Sequence, residues 1–158
     1  MPNVRYNFSL HSFALQFTAV KDIKAGEQLF YSYTPQDVSA QTRQRNLAPY
    51  GIVCECYACI NGTPESDRLH EELPQRIKHF TKLSDEWVKR PQNSLTEKIL
   101  EPVLELKNAI EKEGLETMDD YIPLLIVFHK VYTKLGLTAK ADKCMAELNK
   151  AISLPRSY

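Results

Sequence analysis

Apolar residues recur along this chain with two different periods. From Ser66 onward they step by three or four: Leu69, Leu73, Ile77, Phe80 and Leu83, then Ile99, Val103, Leu106 and Ile110, with mixed charge between them. That spacing puts one apolar stripe on each of four expected helices, over about 66–89, 94–113, 117–135 and 138–152. The punctuation agrees. Ser94-Leu-Thr-Glu97 fits a capping box, Pro91 blocks continuation of the first helix, and Gly114 and Gly136 stand where helix ends are expected. Pro74, Pro102 and Pro123 fall inside or near the starts of these helices and are expected to break or kink them. The last two helices, with Ala139, Ala141, Ala146 and Ala151 on the final one, have the look of a tetratricopeptide-style hairpin. No internal period extends to the earlier helices, so a plain bundle competes with that reading.

Before Asn61-Gly62-Thr63-Pro64 the pattern is different. Phe13 to Val20 (FALQFTAV) alternates imperfectly and is rich in Phe, Thr and Val, which predicts a strand; Gln28 to Tyr33 (QLFYSY) predicts a second one after a turn at Gly26. Asp37 to Leu47 has neither Gly nor Pro and predicts a short helix. The expected architecture is therefore α+β, with a small β-region over 1–62 and an all-α helical domain over 63–158.

The 158 residues, 43% of them hydrophobic, suffice for one good core or two small ones without disulfides. Twenty basic residues balance twenty acidic ones, so no net field favours nucleic acid or an anionic membrane. No run approaches the roughly 18 apolar residues of a membrane span, and no signal-type segment opens the chain. An intracellular protein, cytoplasmic or nuclear, is the expectation.

Three of the four cysteines, Cys54, Cys56 and Cys59, fall within six residues, while Cys144 is remote. Such crowding suits a metal in a reducing compartment better than a disulfide framework, because close thiolates converge readily on one tetrahedral Zn²⁺. Three ligands are one short of a closed site. Candidates for the fourth are His11, His70, His79, Cys144, Glu55 and Asp67, or a ligand from solvent or a second copy. His129, in the apolar run Ile122 to Tyr132, reads as a core histidine, and Trp87, near Lys82, Lys89 and Arg90, as a core tryptophan. Gly-x-Ser-x-Gly, P-loop and His-Glu-x-x-His signatures are absent.

Taken in order, Pro2-Asn3, Ala25-Gly-Glu-Gln-Leu-Phe-Tyr-Ser-Tyr33, a spacer with Arg43, Arg45 and Leu47, and Tyr50-Gly-Ile-Val-Cys54-Glu-Cys56-Tyr-Ala-Cys59 resemble the C-terminal part of a SET domain with its post-SET zinc motif. The Ser-Tyr variant and the helices that follow are closest to the SMYD-type group and its fungal relatives. The resemblance covers residues 1 to about 60. It implies protein lysine methylation from S-adenosylmethionine, with Tyr33 as the catalytic tyrosine, Tyr50 lining the lysine channel, Asn3 at the end of the cofactor-contacting motif, and Cys54, Cys56 and Cys59 on zinc. A narrow aromatic channel would desolvate an amine and orient it for attack on a sulfonium methyl. The family's fourth zinc ligand, its Asn-His cofactor contacts and its Gly-rich segment all precede the position that Pro2 matches. Activity is thus expected only if an upstream half completes the centre. The alternative is a catalytically inactive, zinc-stabilised adaptor that binds a protein or peptide, which a monomeric chain would favour; strands left unpaired predict a homodimer that restores the sheet.

Overall fold

A computed structural model describes residues 2–91, 96–116 and 118–152. Val4–Ser9 (β1) and Ala14–Ala19 (β2) form an antiparallel hairpin in the register Val4↔Ala19 to Ser9↔Ala14. The second strand is the one expected from Phe13 to Val20. The first went unread, although Val4, Tyr6 and Phe8 alternate with Arg5, Asn7 and Ser9, the period-2 signal of a strand. Tyr6 faces Phe17 and Phe8 faces Leu15 across the pair, so one face of the hairpin is apolar and the other polar.

Gln28 to Tyr33 is not a ladder strand, which corrects the sequence expectation. Its partner along β1 is largely a side chain: Asn3 accepts from the Phe30 amide through Oδ1 at 2.7 Å and donates through Nδ2 to the Gln28 carbonyl at 2.8 Å. The backbone amides of Asn3 and Val4 both donate to the single Phe30 carbonyl. One carboxamide thus supplies the complementary donor and acceptor that a regular strand would offer.

The first helix, Ala40–Leu47 (α1), begins later than the Asp37 expected, after Ser39 in extended conformation, and runs into a 3₁₀ turn at Ala48–Tyr50. A single turn, Tyr57–Ile60 (α2), follows the first two cysteines. Gly62 lets the chain turn back closely over α2: a Cβ there would lie 2.4 Å from the Ala58 carbonyl oxygen.

Pro64–Trp87 (α3) starts two residues earlier than expected, because Pro64 occupies the first turn and the Thr63 hydroxyl accepts from the Ser66 amide. Pro74 sits inside it without ending it. A 3₁₀ turn at Glu97–Leu100 leads into Glu101–Glu113 (α4), where one helix over 94–113 was expected; the Ser94 part of the capping box lies outside the described residues. Pro102 near the first turn of α4 accounts for the change of helix type at that point. Tyr121–Lys134 (α5) begins later than 117 and keeps Pro123 in its first turn, whereas Thr138–Ile152 (α6) coincides with its expected span. Gly114 and Gly136, at φ of 68° and 72°, take the left-handed conformation just past α4 and α5.

Tyr121 at the start of α5 reaches Glu147 near the end of α6, and His129 further along α5 meets the Ala141 carbonyl near the start of α6. The two helices are therefore an antiparallel hairpin. Leu73 and Ile77 of α3, Leu106 and Ile110 of α4, Leu125 and Phe128 of α5, and Leu148 of α6 close around Leu100 and Leu115 as one continuous core. Trp87 is buried in it, as expected. Among the described residues no helix is long and apolar enough to cross a membrane.

Candidate metal centre and its aromatic cavity

The Sγ atoms of Cys54, Cys56 and Cys59 all lie within 4.8 Å of one another, a separation from which three thiolates can hold one metal ion. Local structure explains the convergence. The Gln44 side chain on α1 grips the backbone of Cys54 from both sides, accepting from its amide at 3.0 Å and donating to its carbonyl at 2.8 Å. Cys56 is extended and caps α2, and the Cys59 amide donates to the Cys56 carbonyl at 2.9 Å, which turns Cys59 back toward its neighbours.

Arg43 stands beside them at 4% exposure, with Nε donating toward Cys59 Sγ at 3.5 Å. Burial alone pushes the Cys56 thiol up, but hydrogen bonds from Cys54 and Cys59 and the charge of Arg43 outweigh it and leave the group below its ordinary range. Cys59 is pushed up to about 11, first by burial, which the Arg43 contact only partly opposes. The trio is thus organised around one favoured thiolate, with a buried cation behind it. That is the chemistry a metal–thiolate cluster needs, and the Arg43 N–H to sulfur contact is the outer partner such clusters use.

Arg43 also ties the cluster to its surroundings. Nη1 donates to the Val38 carbonyl and lies 3.2 Å from His70 Nδ1. His70, at 2% exposure on α3, donates from Nδ1 to the Gln36 carbonyl, which places its proton on that nitrogen and turns Nε2 toward Glu113 Oε2 at 3.8 Å. Arg43 Nη2, His70 Nε2 and Glu113 Oε2 are buried without a hydrogen-bond partner. The loop 34–38 is therefore anchored from α1 and α3 together.

Of the candidates for a fourth ligand, none joins the cysteines in the described structure. His70 is linked to the cysteines through Arg43 and turns Nε2 toward Glu113. Asp67 accepts from the Ala40 amide at the start of α1. Cys144 is buried in the helical core and donates to the Leu125 carbonyl. His11, His79 and Glu55 are exposed. His129 is a core histidine between α5 and α6, and Lys82 faces solvent beside Glu86.

Tyr33 lies 55% exposed, stacked on Tyr31 at 4.3 Å between ring centroids, and Tyr50 stands 6.3 Å from Tyr33 on its 3₁₀ turn. Tyr31 in turn meets Tyr6 edge-on at 5.1 Å and Phe17 at 5.7 Å. A hydrogen bond with Tyr33 raises the Tyr31 phenol above its ordinary value. A cavity of about 700 Å³ opens between Asn3, Tyr31, Tyr33, Arg43, Cys54 and Cys56. Asn3 is 1% exposed, and its amide is taken up by Gln28, Phe30 and Glu27 Oε1 at 3.2 Å. Those bonds order the tyrosine segment and use both amide protons of Asn3.

Arg43 appeared in the sequence reading only as part of a spacer, and Gln44 not at all. The signal for Arg43 was its four-residue step to Leu47, since both face inward on α1. Comparisons with models of known families, with curated proteins and with solved structures found no match.

Proposed function

We propose that residues 1–62 form the substrate side of a SET-type protein lysine methyltransferase centre, closed by a zinc ion on Cys54, Cys56 and Cys59. The observation that carries this reading is convergence. Asn3, the Tyr31–Tyr33 segment, Cys54 and Cys56, separated by up to 53 positions, line one cavity, and Tyr50 stands at Tyr33. Tyr33 would orient a lysine amine, Tyr50 would wall the channel, and zinc would hold the cysteine loop against α1. The fourth zinc ligand and the S-adenosylmethionine site belong, on this reading, to a further polypeptide segment that packs on the apolar face of the hairpin. The helical region, with its antiparallel α5–α6 pair, corresponds to the tetratricopeptide-like helices that follow the cysteines in the SMYD-type group.

One observation favours the second reading, a zinc-stabilised adaptor without catalysis. The Asn3 amide has no donor left for a cofactor. Calorimetric titration of S-adenosylmethionine into the zinc-loaded chain separates the two. Saturable heat supports a methyltransferase centre completed within the chain or across a dimer, with Tyr33→Phe as the activity control. No heat at millimolar cofactor favours the adaptor for this polypeptide acting alone.

A further inference from the structure

The Tyr31–Thr34 segment is a partition. On one side lies the cavity that reaches the cysteines, and on the other a second one of about 490 Å³, which shares Pro2, Tyr31 to Thr34 and Gln36 with it. Tyr6, Tyr31 and Tyr33 supply the aromatic wall of this second cavity. Asp37, Asp119 and Asp120 supply its acidic wall, from the loop before α1 and from the turn that leads into α5.

Its charge is unbalanced. Arg5 is spent on Asp119 at 2.9 Å, whereas neither Asp37 nor Asp120 makes an ion pair or side-chain hydrogen bond with another group of the described chain. Asp120 stands just before α5 without capping it. Burial first, then the charges of Asp37 and Asp119, hold its carboxyl above the ordinary range. Two half-buried carboxylates that repel each other weaken the folded chain, and they share one cavity with three tyrosines, residues whose ring faces are electron-rich. Such faces attract an organic cation and offer nothing to a hard metal ion except phenol oxygens.

We infer that this cavity binds the basic side chain of a protein segment, a lysine or arginine, between the Asp37 and Asp120 carboxylates and the rings of Tyr6 and Tyr31. The inference rests on the methyltransferase reading for one point, that the segment is a substrate whose neighbouring lysine enters the channel at Tyr33 on the other side of the partition. The guanidinium or ammonium would meet charge-assisted hydrogen bonds on one side and the negative faces of the rings on the other.

The test is a calorimetric titration of a blocked Gly-Ser nonapeptide carrying two lysines into the zinc-loaded 158-residue chain, with no methyl donor present. Saturable binding is expected, with none for the same peptide carrying norleucine or glutamate in place of lysine. Asp37→Asn and Asp120→Asn, both isosteric, should each weaken it about tenfold. Tyr6→Leu should weaken it severalfold, while the exposed pair Glu71→Gln and Glu72→Gln on α3, which lowers the negative charge by the same kind of step, should leave it unchanged. Asp120→Asn should also raise the melting temperature of the free chain by about 1–2 °C, because it removes a repulsion. Equal loss in the α3 variants, equal binding of the norleucine peptide, or displacement of the peptide by millimolar Ca²⁺ would overturn the inference. The readout is binding alone, so a chain that binds the peptide yet fails to take up S-adenosylmethionine refutes the catalytic reading and leaves this one standing.

Discussion

The two halves of this chain bury their apolar residues very differently. Downstream of Pro64 the apolar stripes of α3 to α6 face one another, and Leu100, Leu106, Ile110, Leu124 and Val131 are completely enclosed. Upstream, the enclosed apolar side chains are Val4, Leu47 and Ala58, while Phe8, Phe13, Leu15, Phe17, Leu29 and Phe30 stay in contact with solvent. The difference teaches where each half finds its stability. The helical region is held by its own side chains, as ordinary domains are. The N-terminal region is held by polar devices at a few points, namely Asn3, Gln44, Arg43 and a triad of thiols, and it presents its apolar face outward. A segment built that way depends on what binds to it.

The sharpest way to break the comparison is to load the three cysteines with zinc and then withdraw it. Structural zinc contributes on the order of 10 kcal/mol in small closed sites. Chelation, or Cys56→Ser, should therefore abolish cooperative structure over Cys54–Ile60 and the packing of α1, with the far-ultraviolet helical signal of α3 to α6 mostly retained. A single transition lost as a whole would mean that the halves fold as one.

The helical half has its own weak point in packing. Leu106→Ala, at a fully enclosed position, should lower stability by about 2–5 kcal/mol, read by urea unfolding, with little change in metal affinity. Asn3→Ala should cost about 2 kcal/mol within the N-terminal half, because it removes the two hydrogen bonds from the buried Asn3 carboxamide to the Phe30 amide and the Gln28 carbonyl; the Tyr31 and Tyr33 ring resonances should lose their stacked shifts. Gln44→Ala should cost about 1–2 kcal/mol and appear as weaker metal binding, since only Cys54 loses its backbone clamp. Smallest of all, Leu15→Ser on the exposed hairpin face should change stability by less than about 0.5 kcal/mol. In sedimentation it should reduce any self-association through that face, and a monomer in both forms would count against pairing of two hairpins.

What the sequence disclosed follows the same division. Helical period and caps located α6 to the residue, α3 and α5 to within a few, and α4 at its end, though its start lies seven residues later than expected; local stripes and Gly114 and Gly136 decide those boundaries. The cysteine cluster was legible from spacing alone. The irregular path of Gln28 to Tyr33 was not, since its composition favours a ladder and only tertiary contacts reveal that the Asn3 carboxamide replaces one. The role of Arg43 was hidden for a related reason. Its four-residue step to Leu47 marks only an inward position, and its meaning comes from Cys59, Val38 and His70, which lie elsewhere in the chain. The acidic cavity joins positions 37 and 120, a distance no periodicity spans.

Amide hydrogen exchange of the full chain, with zinc bound and after chelation, bears most directly on this division. The account predicts that chelation unprotects the amides of Arg43, Cys59, Ile60 and Asn61, with those of α4, α5 and α6 exchanging as before. Equal loss of protection in α5 and α6, or no loss around the cysteines, would contradict it.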